Sequence, residues 1–255
     1  MKKRIVVKVG THVITDGGKL CAERFEKLIE FLSLVMEKND VILVSSGAVA
    51  TGFSKIKLDK KILPNKQALA AIGQPYLIQY YNEFLQKYGK FGAQILLISD
   101  DFDSRKRTKA AKDAINTLLE NNILPIINEN DTTAIEELVF GDNDQLSAHV
   151  THFLDADLLV ILSDINGYYD SDPKENKNAK LILHVEKIDN DVMYQDVNTG
   201  SEFSTGGIAT KLKAADFLLK NGRSMFLASG FDLSDAKNFI LEGRHSGGTL
   251  FALKS

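Results

Sequence analysis

The chain has 255 residues, 44% hydrophobic and 25% charged, an ordinary balance for a folded protein and enough length for one large α/β domain or two small ones. Lysine and arginine number 31 against 34 aspartates and glutamates, a net charge of −3 that leaves no basic stripe calling for nucleic acid. The single cysteine, Cys21, excludes an internal disulfide and a cysteine-rich metal cage, and no run approaches the ~20 apolar residues of a membrane span.

The basic start, Met1 to Arg4, is followed by a short apolar run at 5–9 that Lys8 interrupts. A secretory leader needs about 7–15 apolar residues, so the expectation is a cytoplasmic protein with no membrane partner. Going along the chain, β-branched runs predict strands at 5–9, 41–44, 94–98, 123–127, 158–162, 181–185, 225–228 and 249–252. Several are almost wholly apolar, as strands covered on both faces must be. Between the first two, Phe25, Leu28, Ile29, Leu32 and Val35 recur at helical spacing. Further helices are predicted at 66–88, with Pro75 kinking or splitting it, and at 105–120, 145–154 and 208–220. The most polar stretch, 170–180, runs into a strand without an intervening helix and reads as a surface excursion, a hairpin beside a bound ligand. Alternation of this kind argues for a mainly parallel sheet with helices on both sides. One domain with two functional halves is the simplest organisation.

Parallel sheets place ligands at the carboxyl ends of their strands. At the first exit, Lys8 sits inside an apolar strand, where burial is costly unless the charge has a task, and Gly10 lets the backbone pass close to an anion. The alternative is a snorkelling lysine on an edge strand. At the second, Ser45, Ser46, Gly47 and Ala48 lead into a helix whose N-terminus could hold an anion, or simply make a tight turn. Asn128, Glu129, Asn130 and Asp131 leave a buried strand together. Gly141, Asp142, Asn143, Asp144 and Gln145 read as a glycine turn into a helix that Asn143 or Asp144 could cap. Capping needs one polar residue, so the others are available to a ligand. Ser163 and Asp164 mark a further exit. The loop from Ser204 to Lys211, with Thr205, Gly206, Gly207, Ile208, Ala209 and Thr210, has the components of a phosphate cradle at a helix start. It lacks the Gly-Lys-Ser/Thr ending of a Walker loop, and no Gly-x-Gly-x-x-Gly follows the first strand. His149 and His152 stand three apart on a predicted helix, but without a persuasive third ligand they read as partly exposed helix histidines rather than a metal site.

The motifs KVGT at 8–11, VSSGAVATG at 44–52, INEND at 127–131, GDNDQLSA at 141–148, LSDINGYYDSDP at 162–173 and STGGIATKLKAA at 204–215 occur in that order. In this the chain resembles the amino acid kinase family. The pairing of GDNDQLSA with TGGIATK resembles its members that act on L-glutamate. The resemblance implies an α/β fold, a three-layer αβα sandwich around a largely parallel eight-stranded sheet. It implies a single kinase domain over 1–255, the N-terminal part binding glutamate and the C-terminal part ATP. The implied reaction moves the γ-phosphoryl group of ATP to the side-chain carboxylate of L-glutamate, giving L-glutamyl 5-phosphate for proline biosynthesis.

The same resemblance assigns roles by position. Lys8 and Lys211 fall on phosphate-contacting lysines, and Asp144 on the carboxylate that organises both. Ser46, Gly47, Asn128, Asp131, Asp142 and Asn143 fall in the acceptor-binding motifs. Lys8, Ser163, Asp164 and residues Thr205, Gly206, Gly207, Ile208, Ala209, Thr210 and Lys211 fall in the ATP-binding ones. Backbone N–H groups of Ser46 and Gly47 are expected at the transferring group. Mg²⁺ is expected to ride on the ATP phosphates, without protein side-chain ligands. Proline as a feedback inhibitor and assembly as a homodimer or homotetramer are also implied. Ser204 stands where glycine is frequent in such loops and Ile208 where methionine is frequent. Many relatives carry a C-terminal domain of RNA-modifying-enzyme type, and the sequence reads as a short form without it.

Overall fold

The computed structural model of the protein describes residues 2–133, 143–173, 175–188 and 207–254. In chain order the elements are β1 (Lys3–Val9), α1 (Thr11–Ile14), β2 (Thr15–Asp16), β3 (Lys19–Leu20), α2 (Ala22–Lys38), β4 (Asn39–Ser45), α3 (Ala48–Lys55) and α4 (Leu63–Leu85). There follow β5 (Phe91–Leu97), α5 (Asp100–Asp103), α6 (Arg105–Glu120), β6 (Ile123–Glu129), α7 (Asn143–Phe153), β7 (Leu158–Ser163) and β8 (His184–Val185). The last are α8 (Ile208–Lys220), β9 (Ser224–Ser229), α9 (Ser234–Lys237) and β10 (Thr249–Phe251). Strands β2 and β3 form a small separate hairpin, and the other eight make one sheet in the order β5-β6-β4-β1-β7-β9-β10-β8. Its pairings are parallel except that of β9 with β10. This is the expected αβα sandwich.

Side-chain alternation along β1 sorts the two outer layers. Ile5, Val7 and Val9 face a core shared with Phe25, Leu28 and Leu32 of α2 and with Leu77, Tyr81 and Phe84 of α4. Val6 faces the opposite core, with Leu146 and Val150 of α7 and Leu212, Ala215 and Leu218 of α8. Lys8 shares the parity of Val6, so its side chain runs toward α7 and α8. Strand β1 is central, pairing Lys8 with Val44 of β4 on one side and Ile161 of β7 on the other. That removes the edge-strand explanation of Lys8, because a lysine in mid-sheet has no solvent edge along which to snorkel.

Two expectations need correction. Pro75 does not split its helix: α4 is continuous from Leu63–Leu85. The buried stripe Leu69, Gly73, Leu77, Tyr81 and Phe84 keeps helical spacing across the proline, so packing holds both halves to one core. The 181–185 strand is shorter, reduced to His184–Val185, while Leu181 bridges back to Tyr169. The polar excursion is closed by Asp170 N–H donating to the Lys180 carbonyl at 3.1 Å and Lys180 N–H to the Asp170 carboxylate at 2.9 Å. Helix α7 is described over Asn143–Phe153, with Asn143 and Asp144 buried at its start. The short elements α1, α5, α9 and the β2–β3 hairpin give no periodicity and were not predicted. Among the described residues no helix is long and apolar enough to cross a membrane.

Candidate active site

The carboxyl ends of β1, β4, β6 and β7 converge on the first turn of α7, and Asp144 stands at the centre. It is fully buried. One carboxylate oxygen meets Lys8 Nζ at 2.6 Å and the other meets Lys211 Nζ at 3.1 Å. The Thr210 hydroxyl donates to the second oxygen at 2.9 Å, and Lys211 also donates to the Gly207 carbonyl at 2.7 Å. Both lysines are themselves almost buried, at 4% and 6% exposure. Burial by itself would raise the Asp144 pKa. The two ammonium groups and the hydrogen bonds from Lys8 and Thr210 outweigh it and hold the carboxylate down at about 2. Two cations brought together from β1 and α8 are thus fixed on one anion from α7.

Beside this cluster lies a cavity of ≈ 230 Å³ lined by residues that include Ser46, Gly47, Lys66, Asn128, Asp131 and Asn143. Asn143 Nδ2 donates to Ser46 Oγ at 2.8 Å and to Asn128 Oδ1 at 2.9 Å. Asn128 Nδ2 in turn donates to Gln74 Oε1 at 2.9 Å. Asp131 is 18% exposed and faces Lys66 Nζ of α4 across 3.9 Å, beyond hydrogen-bonding distance. Burial raises the Asp131 pKa, and the lysine ammonium offsets that only in part. The cavity is therefore lined by an incompletely compensated carboxylate, Asp131, with the Lys66 ammonium near it, and by the amide and hydroxyl groups of Asn128, Asn143 and Ser46, with Glu129 also in its wall.

The turn from β4 into α3 is built for close approach. Gly47 has φ 114°, a left-handed conformation that L side chains rarely adopt, and a Cβ there would meet Ile14 Cδ1 at 3.0 Å. Buried Tyr81 and Ser45 sit 2.7 Å apart, and the Ser45 hydroxyl reaches the Ser46 carbonyl at 2.9 Å. With the serine proton so directed, Tyr81 is the donor to Ser45, and burial pushes its phenol up and keeps it neutral. The Ser46 N–H is spent on the Val9 carbonyl at 3.2 Å. Of the two backbone amides expected at a transferring group, the Ser46 one is therefore already engaged.

Across Asp144, Ser163 is buried at the end of β7 and its hydroxyl donates to Asp164 Oδ1 at 3.0 Å, while the Asp164 side chain is 53% exposed near His12. Ile208 and Ala209 begin α8, with Thr210 and Lys211 in the same first turn. The hydroxyl of Thr210, one of the residues expected in the ATP-binding loop, donates to Asp144. Asp142, Thr205 and Gly206 lie outside the described residues. His149 stacks on Phe217 at 4.5 Å, and His152 meets Phe153 and Phe217 edge-on. Among the described residues no group of three histidine, cysteine or acidic side chains could hold a metal ion.

Sequence reasoning missed Lys66 and Gln74. Both project from α4 and were read only as part of a helix at 66–88. The nearest signal is the small-residue run Ala70, Ala71 and Gly73 between them: a Cβ at Gly73 would lie 1.8 Å from the Ala48 carbonyl, so α4 is pressed against the start of α3.

A family model for the amino acid kinase family matches residues 3–229. A protein of Wolinella succinogenes named glutamate 5-kinase is 51% identical over 98% of the chain and 97% of its own length. One of the same name from Leishmania donovani is also 51% identical, over 98% of the chain and 95% of its length. Among solved structures, carbamate kinase from Giardia lamblia bound to AMP-PNP superposes with a TM-score of 0.69 at 13% identity, each chain 99% covered. UMP kinase from Bacillus anthracis gives 0.66 at 17% identity, covering 99% of this chain and 97% of its own. These two share the fold; the family match and the half-identical relatives go further, and the chain belongs to the amino acid kinase family.

Proposed function

We propose that the protein is an ATP-dependent kinase that phosphorylates the side-chain carboxylate of L-glutamate, giving L-glutamyl 5-phosphate, the first step of proline biosynthesis. The observation that carries this is the Lys8–Asp144–Lys211 cluster placed beside a cavity with both an anionic and a cationic wall. The N-terminal half supplies the acceptor cavity, and the β7 and α8 side supplies the nucleotide site. Glutamate carries an ammonium group for Asp131 and an α-carboxylate for Lys66, which leaves the side-chain carboxylate directed to Ser46, Asn143 and the lysine cluster.

A carboxylate with an ordinary pKa of about 4.3 is already ionised at neutral pH, so the nucleophile needs no general base. One of its oxygens attacks the γ-phosphorus while the bond to the β,γ-bridging oxygen breaks, and that electron pair leaves with ADP. The difficulty is bringing an anion up to a polyanion, and catalysis is positioning and charge stabilisation. Lys8 and Lys211 meet the charge on the transferring group and the leaving phosphate. Asp144 keeps both ammonium groups aimed, so no reorganisation is needed as charge develops. The Gly47 N–H, at the start of α3, assists at the transferring group. Mg²⁺ would come in on the phosphate oxygens and add positive charge there. Both oxygens of Asp144 are held by Lys8, Lys211 and Thr210, in keeping with a metal that would be carried by the nucleotide and not by protein side chains.

Proline carries the same ammonium and α-carboxylate as glutamate, and on this reading it competes for the Asp131–Lys66 side of the cavity. A homo-oligomer and a cytoplasmic setting accompany the proposal. The test is capture of the acyl phosphate as a hydroxamate with L-glutamate, ATP and Mg²⁺. Glutamate-dependent hydroxamate is the expected result. Product with N-acetylglutamate, carbamate, aspartate or UMP instead would make the protein a different kinase of this fold. Binding of glutamate or proline without transfer to any acceptor would make it a sensor.

A further inference from the structure

Gln74 lies outside the acceptor cavity, yet it ends a chain of side-chain hydrogen bonds that begins inside it: Ser46, Asn143, Asn128, Gln74. Distances alone give such a chain no direction, because each amide could be turned end for end. One contact settles it. The backbone N–H of Glu129 donates to the Asn128 side chain at 2.9 Å, and a backbone N–H can only donate. The atom it meets is therefore Oδ1. The other end of Asn128 is then an NH₂ group that must find an acceptor, which is Gln74 Oε1. The group that Asn143 brings to Asn128 Oδ1 must be a donor, its Nδ2, and that same NH₂ reaches Ser46 Oγ. Ser46 thus accepts from the interior, and its single hydroxyl proton is left for the cavity it lines.

We propose that Gln74 is a positioning residue: with the Glu129 N–H it holds this relay in one polarity, so that the Ser46 hydroxyl is a standing donor to the acceptor carboxylate and the oxygens of the transferring phosphoryl group. The proposal rests on the acceptor reading above. No proton is transferred; the hydroxyl only meets developing negative charge. Gln74 is only 6% exposed, and its Nε2 is a buried donor without a hydrogen-bond partner among the described residues. An unmet buried donor is a cost to folding, and an apolar side chain of the same size would remove it only by leaving the Asn128 amide donor unmet instead, so stability alone gives no clear preference for glutamine here. What glutamine supplies and methionine cannot is the acceptor for Asn128.

The test compares Gln74→Met, which matches the length without an acceptor, with Gln74→Glu, which keeps an oxygen toward Asn128. Loss of a hydrogen bond to a charged group corresponds to about 10- to 100-fold in rate, so kcat with L-glutamate should fall by about that much in Gln74→Met. The KM for ATP and the melting temperature should hold, and Gln74→Glu should recover most of the loss. A second readout needs no acceptor: in ¹⁵N-edited NMR spectra the side-chain amides of Asn128 and Asn143 should exchange slowly with solvent in the wild type and in Gln74→Glu, and rapidly in Gln74→Met. Equal kcat in all three proteins, or equal loss in both variants, overturns the relay. So do freely exchanging amides in the wild type, a result that stands even if Gln74→Met does not fold. If the wild type makes no glutamyl hydroxamate, the substrate reading fails and the amide exchange still decides the relay.

Discussion

Asp144 and Asp131 are both aspartates facing lysines, and their surroundings push them in opposite directions. Burial raises both. At Asp144 two ammonium groups at 2.6 and 3.1 Å, with a threonine hydroxyl, more than reverse that. At Asp131 one partly exposed ammonium at 3.9 Å does not. The first is a cluster whose geometry is finished: two ammonium groups are aligned on one carboxylate, and one positive charge is left over for the phosphoryl group. The second is an unfinished one that a zwitterion would complete. A preorganised site for the phosphoryl group stands beside a site that still wants a ligand, and the difference is visible before any substrate is placed.

The sharpest way to break this contrast is Asp144→Asn. It leaves two buried lysines without their shared anion, and breaking a buried pair costs about 3–5 kcal/mol, so the melting temperature should drop clearly. With the ammonium groups no longer held, kcat should fall by about 10²–10³, as when a preorganised donor is removed, while the KM for glutamate changes little. Unchanged turnover in a folded Asp144→Asn protein would falsify the organising role. Next in size is Asp131→Asn. It removes a charge-assisted contact to the substrate ammonium, about 1.5–3 kcal/mol, or roughly 10- to 100-fold in the KM for glutamate, with kcat nearly kept.

Lys66→Met should be milder, because the lysine is 41% exposed and its attraction is screened. A rise of about two- to fivefold in the KM for L-glutamate is expected. The same substitution should leave inhibition by 4-aminobutanoate, which lacks the α-carboxylate, almost unchanged. If both ligands weaken alike, Lys66 shapes the cavity and does not read the α-carboxylate.

How far the sequence alone reaches is clear from these same residues. The strand pattern and the isolated charge of Lys8 are local features, and the alternation that sends Lys8 toward α7 and α8 follows from its parity with Val6. The surplus of polar residues at Asn143 and Asp144 over what capping needs is also local, and in the structure these side chains meet Ser46, Asn128, Lys8 and Lys211. That β1 is central, however, depends on pairings with strands at 39–45 and 158–163, which no local pattern specifies. Gln74 and Lys66 were invisible for a related reason. Each is an unremarkable polar residue on a helix, and its meaning lies in a partner 54 or more positions away. The use of the Ser46 N–H by Val9 and of the Thr210 hydroxyl by Asp144 belongs to the same class, being competition for a group among partners that only the fold brings together.

The smallest effect to look for is in pH, and here the two carboxylates should diverge in sign. The Asp144 pKa is depressed, so its contribution to stability is present above the ordinary carboxylate value of 3.8 and is lost as pH falls toward about 2. The Asp131 pKa is raised, so its ionised form costs stability, and that cost is relieved as pH falls through its folded pKa. Glutamate binding reads Asp131 separately. A bound ammonium favours the ionised carboxylate, so binding displaces a proton wherever Asp131 is partly protonated, and affinity for glutamate weakens on the acid side of that pKa. Lys66 is the group that holds the pKa down, so Lys66→Met should shift this acid limb to higher pH and Asp131→Asn should abolish it. Apparent KM for glutamate measured from neutral pH downward in the three proteins gives the answer. An acid limb that survives Asp131→Asn would belong to another group and would remove the link between the raised pKa and substrate recognition.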